Sequence, residues 1–141
     1  MTVYADSSFL VSVYVEDTHS AEGDARLRTG ATVLLTPLHL AEWAHAIAQQ
    51  VFRGRLSAAE AIGVEQAFDE DRRLGLWKEV VMPDKSFDAC ADLARRYGPK
   101  LGMRTLDSLH VACALELKAE RFWTFDERQA KLAKVVGMKT T

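Results

Sequence analysis

Four acidic residues, Asp6, Glu42, Asp107 and Asp126, occupy places in the sequence from which their carboxylates can converge, although the outermost two are 120 positions apart. Asp6 ends the short apolar run Val3-Tyr4-Ala5, and Asp126 follows Arg121-Phe-Trp-Thr124, a second strand-like run. In an open parallel sheet the carboxyl ends of strands form the ligand edge. Asp107 falls in the first turn of a helix entered through Gly102-Met-Arg-Thr105, and Glu42 lies near the start of a helix that follows the buried strand Thr32–Leu35. Carboxylate oxygens are the preferred donors of hard divalent ions such as Mg²⁺ and Mn²⁺. Two such ions about 4 Å apart can hold the attacking and leaving oxygens of a phosphodiester. Metal-assisted phosphodiester hydrolysis is therefore the chemistry that these four residues suit. Each also has an ordinary structural use. Asp6 and Asp126 are N-cap candidates, Asp107 complements a helix dipole, and Glu42 can be a solvated helix residue. Glu42 is the most informative, because it lies beside the apolar stripe Leu40, Ala41, Ala44, Ile47, Ala48, Val51, whereas Gln49, Gln50 and Arg53 mark that helix's polar side.

The elements that must position these acids alternate between strand and helix. Val3–Ala5 is a first strand, and Asp6-Ser-Ser8 caps a helix with Phe9, Leu10, Val13 and Tyr14 at helical spacing. A weak helix over 19–28 ends at Gly30. After Thr32–Leu35, Pro37 opens the Glu42 helix, which Gly54 closes. Ser57-Ala-Ala-Glu60 is a capping box for a helix running to about Leu74. Trp77–Met82 reads as a third strand. Phe87, Cys90, Ala91, Ala94 and Tyr97 form a stripe that Gly98-Pro99 is expected to stop. Leu106, Leu109, Cys113 and Leu117 are expected to face the core from the Asp107 helix. Arg121–Thr124 is a fourth strand, Asp126 caps a helix to about Lys134, and residues 135–140 suit a last strand. Strands alternating with helices predict a parallel sheet covered on both faces, an α/β chain with three layers.

The 141 residues, 48% hydrophobic and 27% charged, suit a single domain spanning 1–141. No basic segment followed by a long apolar run opens the chain, and no apolar run approaches the ~20 residues needed to span a bilayer. A cytoplasmic protein with no membrane attachment is expected. The net charge is −2, so binding of a polyanion must rely on bound cations or on a local basic patch. Candidates are Arg53 with Arg55, Arg72 with Arg73, Arg95 with Arg96, and Lys100 with Arg104, each of which also suits a solvated helix end. Cys90 and Cys113 match no zinc or CxxC spacing and are expected to be buried thiols.

Other patterns were weighed. His39, Glu42 and His45 have the spacing His-x-x-Glu-x-x-His. At about 100° per residue the histidines lie about 120° apart around a helix, unlike the four-residue spacing of zinc proteases, and helix-surface histidines are the better account. His110, one turn after Asp107, is expected to be half-buried and hydrogen-bonded. Trp43, Trp77 and Trp123 are large enough to stack on bases, but suit a core or dimer interface better. A strand ending in an acid is also found in phosphohydrolases that form an aspartyl-phosphate, yet these carry a second acid two residues on, where this chain has Ser8.

The runs Tyr4-Ala-Asp-Ser-Ser-Phe-Leu10, Leu40-Ala-Glu-Trp43, Arg104-Thr-Leu-Asp-Ser-Leu-His-Val-Ala-Cys-Ala114 and Trp123-Thr-Phe-Asp-Glu-Arg-Gln129, in this order and spacing, resemble PIN-domain ribonucleases. Within them they are most similar to VapC-type toxins of toxin–antitoxin pairs. The resemblance covers nearly the whole chain. It implies a three-layer α/β/α fold with a sheet of about five strands in the order 3-2-1-4-5, and Mg²⁺- or Mn²⁺-dependent endonucleolytic cleavage of RNA. It carries the catalytic, metal-holding quartet onto Asp6, Glu42, Asp107 and Asp126, with Ser8 and Thr124 in supporting roles. Asp6, Asp107 and Asp126 would hold the principal metal, and Glu42 a second metal or the attacking water. It also implies a homodimer and a small VapB-type antitoxin that blocks the site. The non-enzyme alternative is a module of the same fold that binds RNA or a partner and cleaves nothing.

Overall fold

The computed structural model describes all residues, 1–141. Its organising element is β1 (Thr2–Ala5), the second-to-last strand of a four-stranded parallel sheet ordered β3-β2-β1-β4. The chain runs from β1 through α1 (Ser7–Tyr14) and α2 (Ser20–Leu27) to β2 (Thr32–Leu35). It continues through α3 (Pro37–Phe52) and α4 (Ala58–Arg73) to β3 (Trp77–Glu79), then through α5 (Ser86–Leu101) and α6 (Thr105–Glu116) to β4 (Arg121–Trp123), and ends with α7 (Glu127–Val135). Each crossover between strands thus contains two helices. Val3 pairs with Val33 on one side and with Arg121 on the other. None of the helices is long and apolar enough to cross a membrane.

Side-chain alternation along the strands builds the three layers. Val3, Ala5, Val33, Leu35 and Trp123 join one core with Phe9, Leu10, Trp43, Ile47 and Phe68, which covers the face under α1, α3 and α4. Tyr4 and Phe122 point the other way, into a second core with Cys90, Leu93, Leu109, Cys113 and Leu132 from α5, α6 and α7. Tyr4 and Phe122 stack across the β1–β4 pair, ring centroids 5.6 Å apart. The three tryptophans are core residues, as expected, and two have their indole N–H satisfied internally: Trp43 donates to Glu65 and Trp77 to the Tyr14 hydroxyl. Both cysteines are buried free thiols.

Several boundaries differ from those expected. α5 does not stop at Gly98-Pro99 but continues to Leu101, where Gly102, with φ of 65°, ends it. Pro99 lies in the last turn, so its missing N–H removes a single helical bond, and the left-handed glycine makes the actual stop. Phe87, placed on the apolar stripe, is exposed. On α6, Leu106 is exposed and Leu117 only half-buried; instead the seven consecutive residues Ser108–Ala114 are all buried. That helix is surrounded by α5, α7 and the sheet, so no amphipathic period marks its inner side. β3 ends at Glu79, and Val80 adds one more bond, donating to Leu35. The expected fifth strand is reduced to one parallel bridge between Arg121 and Lys139, because α7 runs to Val135 and the turn at Val136-Gly137, with Gly137 at a φ of 88°, leaves only the residues from Met138 on to meet β4. That bridge stands beside β4, where the fifth strand belongs in the predicted order.

Phe122 is fully buried, and its removal leaves a cavity against Tyr4 at the centre of the sheet. Phe122→Ala is expected to cost about 3–5 kcal/mol, measured by urea unfolding.

Candidate active site

The local sequence that follows each strand fixes the acids. Asp6 leaves β1 with its N–H bonded to the Trp123 carbonyl at 2.9 Å, so the sheet itself sets its backbone. Its side chain caps α1 by accepting from Phe9 N at 2.9 Å. The carboxylate is buried, and it also accepts from the Ser8 hydroxyl at 2.7 Å and the Thr124 hydroxyl at 2.6 Å. Burial raises the Asp6 carboxyl above the ordinary carboxylate range, against the lowering effect of Thr124, Phe9 N–H and Ser8. No lysine, arginine or histidine is ion-paired with it.

Thr124, at the end of β4, connects Asp6 to the other two aspartates. Its hydroxyl accepts from the Asp126 N–H at 2.9 Å and lies 3.2 Å from the Gln129 side-chain oxygen. Asp126 caps α7 by accepting from Gln129 N at 2.9 Å. The Gln129 amide group in turn reaches Asp107 Oδ1 at 3.4 Å. Buried Gln129 is thus tied to Thr124, Asp126 and Asp107. Asp107 Oδ2 accepts from the Arg104 N–H at 3.0 Å, the first-turn role expected of it, and the exposed Arg104 guanidinium stands 3.8 Å away.

Glu42 reaches the same edge from α3. Its Oε1 accepts from the Ser7 hydroxyl at 2.7 Å and from His110 Nε2. Burial pushes its carboxyl up, but the His110 and Ser7 contacts outweigh this and hold it below the usual range. Glu42 and Asp107 line one open pocket together with Arg104, Thr105 and Leu106.

His39 overturns the expectation of a surface histidine: it is fully buried. Its Nδ1 accepts from Thr36 N at 3.0 Å, and its Nε2 donates to the Ala5 carbonyl at 2.6 Å, which docks the start of α3 onto β1. Burial lowers its pKa to about 3, so the ring is neutral. His45 is exposed, so the two do not share a zinc site. His110 is more deeply buried than expected, with Tyr4 on one ring nitrogen and Glu42 on the other. Sequence reasoning missed Ser7 and Gln129. Gln129 had a legible signal, since Asp126-x-x-Gln129 has the spacing of a capping box; Ser7 had only its place next to Asp6. Among the basic pairs, Arg72 is engaged by Glu79 and Asp69, Arg73 by Glu70, and Arg95 by Asp92, whereas Arg104 stands beside Asp107 and lines its pocket.

The donor set suits a hard divalent cation: four carboxylates at one sheet edge, one of them enclosed and without a cationic partner. The side chains are not drawn into a finished cage, for no three His, Cys, Asp or Glu residues stand close enough to hold a metal ion as they are.

A parallel sheet of this order with acids at its carboxyl edge defines a PIN fold, and the chain belongs to the PIN domain family, whose model matches residues 3–135. No curated protein sequence matches it significantly. Among solved structures it is similar to Mycobacterium tuberculosis VapC20, a toxin that cleaves the sarcin–ricin loop, with a TM-score of 0.68 and 13% identity over 99% of this chain and 98% of that one. It is similar to VapBC2 from Rickettsia felis, bound to a promoter DNA fragment, at TM-score 0.69 and 13% identity over 100% and 98% of the two chains. FitAcB from Neisseria gonorrhoeae gives a TM-score of 0.69 and 14% identity over 98% and 95%.

The raised Asp6 pKa has a definite sign for stability. The folded state holds the Asp6 proton more tightly than the unfolded chain does, so this group's contribution falls as pH rises from the unfolded value through the folded one. Asp6→Asn removes the buried charge, and Thr124 can turn its hydroxyl toward Gln129 to accept from the new amide. In chelator-treated buffer at neutral pH, Asp6→Asn is expected to unfold at a higher temperature than the native chain. The difference should vanish once the pH drops below the Asp6 pKa, as followed by circular dichroism.

Proposed function

We propose that this chain is a metal-dependent endoribonuclease, a single PIN domain over 1–141 that acts in the cytoplasm as the toxin of a toxin–antitoxin pair. The observation that carries this reading is the linkage of Asp6, Asp126 and Asp107 through Thr124 and Gln129 at the carboxyl edge of the sheet. That linkage joins acids from three separate elements, and the open pocket lined by Asp107 and Glu42 beside them supports the approach of a phosphate. Asp6, Asp107 and Asp126 are the residues that would hold a principal Mg²⁺ or Mn²⁺, and Glu42 would hold a second ion or orient the water. Such an ion supplies positive charge to receive the phosphate and acidifies water. The chain's own residues prepare for this. Thr124, Ser8 and Phe9 N–H hold Asp6 as an acceptor, Gln129 sets the separation of Asp107 and Asp126, and Arg104 offers an exposed cation at the rim for the RNA backbone. The structural neighbours from toxin–antitoxin systems support a VapB-type antitoxin as partner; the homodimer rests on the family resemblance alone.

One observation favours the alternative of a module that binds RNA or a partner and cleaves nothing: the carboxylates are not already caged, and Glu42 and Asp107 each have protein partners. A cleavage assay separates the two readings. Purified protein is expected to cut RNA endonucleolytically with Mn²⁺ or Mg²⁺ and to stop when a chelator is added. Asp6→Asn and Asp107→Asn are each expected to slow cleavage about 100-fold or more, equivalent to about 2.7 kcal/mol of barrier, while remaining folded. Intact RNA under all these conditions would establish the binding module. Where a small DNA-binding protein is encoded immediately upstream, its co-expression is expected to suppress both the cleavage and its toxicity.

A further inference from the structure

We propose that Tyr4, His110 and Ser7 form a clamp for Glu42, with His110 as a positioning residue: the clamp fixes one carboxylate oxygen and leaves the other to serve the acidic site. The inference rests on the nuclease reading above and goes beyond the acids themselves. α6 carries Asp107 in its first turn and His110 one turn later, in the stretch where the helix is buried on every side. Tyr4 lies on β1, two residues before Asp6, and is itself fully enclosed. Its hydroxyl is 2.8 Å from His110 Nδ1. An ionised Glu42 carboxylate can only accept, so His110 Nε2, which faces Oε1, carries the ring proton. In the neutral ring Nδ1 is then bare and accepts from the Tyr4 hydroxyl. Ser7 donates to the same oxygen at 2.7 Å. Oε1 therefore takes two donors, and Oε2 has no hydrogen bond within the protein.

The neighbouring His39 shows what a merely satisfied core histidine looks like in this fold. It spends both nitrogens on Thr36 and on the Ala5 carbonyl, groups that are buried with it. His110 instead directs its N–H outward, to a half-buried acid that lines the pocket shared with Asp107. The clamp also draws on the elements that carry the acids: β1 gives Tyr4 and Asp6, α6 gives His110 and Asp107, and α1 begins at Ser7. Hydrogen-bonded partners of this kind tune a site by orienting the groups that touch the ion or substrate.

The test combines ¹⁵N spectra of the histidine rings, recorded without metal, with a double-mutant cycle on Mn²⁺-dependent RNA cleavage. The spectra are expected to show His110 protonated on Nε2 and bare on Nδ1, with the Nε2 resonance moving in Glu42→Gln. His110→Phe is expected to lower kcat about 10–100-fold with KM little changed. His110→Gln, which keeps an N–H donor near the Nε2 position, should recover most of that loss. In a Glu42→Gln background His110→Phe should cost almost nothing further, because residues acting through one another are not additive. His45→Gln, on the exposed side of α3, should behave as the native chain. Should His110→Phe not fold, Ser7→Ala removes the other donor from the rim and is expected to show the same dependence on Glu42. A ring protonated on Nδ1, an Nε2 resonance indifferent to Glu42, or losses that add in full on Glu42→Gln would overturn the clamp. If the native chain cuts no RNA, the nuclease reading fails, and the ring spectra still decide whether His110 holds Glu42.

Discussion

A carboxylate enclosed at the end of the strand between β2 and β4 is the constraint around which the rest of this structure is arranged. Removing Asp6 from water carries a large desolvation cost unless polar groups replace the lost hydration. The chain supplies three of them: the Ser8 hydroxyl, the Phe9 N–H and the Thr124 hydroxyl. The last of these comes from a residue 118 positions away, so Asp6 can be accommodated only where β4 lies directly beside β1. The pairing of Ala5 with Trp123 fixes that register, and a slip by one residue would turn Tyr4 and Phe122 out of their shared core. The packing of the sheet and the solvation of one acid therefore select the same strand order.

The acids also show that structural and chemical roles coincide here. Asp6 and Asp126 are true N-caps, and Asp107 bonds back to Arg104 N as first-turn acids do. A cap restrains a short side chain to a narrow range of rotamers, because its oxygen must meet a particular N–H. Restraint of that sort is what a site built from separate elements requires. The backbone N–H groups at the starts of α1 and α7 lend further partial positive charge to the acidic edge.

Much of this was legible in the sequence, and the unread portion has physical causes. The strand-ending acids, the cap residues and the alternation of strand with helix are local patterns, and they predict the layers and the elements that carry Asp6, Asp107 and Asp126; the strand order follows only from the family resemblance. His39 was misread as exposed because helical spacing shows which residues share a side, not which side meets the sheet; only its bond to the Ala5 carbonyl reveals that. α6 hid its inward direction because Ser108–Ala114 is buried throughout, so periodicity has nothing to report. Pro99 reads as a stop because proline ends most helices, yet in a final turn it removes only one bond. The missing fifth strand reflects the turn at Val136-Gly137, which closes α7 and leaves only a few residues to pair with β4. Gln129 and Ser7 were overlooked because their partners lie far off in sequence: Gln129 meets Asp107, and Ser7 meets Glu42.

The pairing of β1 with β4 also imposes an order in time. β1 is made before β4, so a ribosome-bound chain that has not reached β4 holds Asp6 without Thr124 to solvate it and without Asp126 or Gln129 to complete its surroundings. The 118 positions between Asp6 and Thr124 must be made before the two strands can meet, and contacts of such large sequence separation form late in folding. Assembly of the acidic edge is therefore tied to the synthesis of β4 and α7. A protein built in this way stays without its site until those elements follow, and any molecule that must meet the site first has that long to be present.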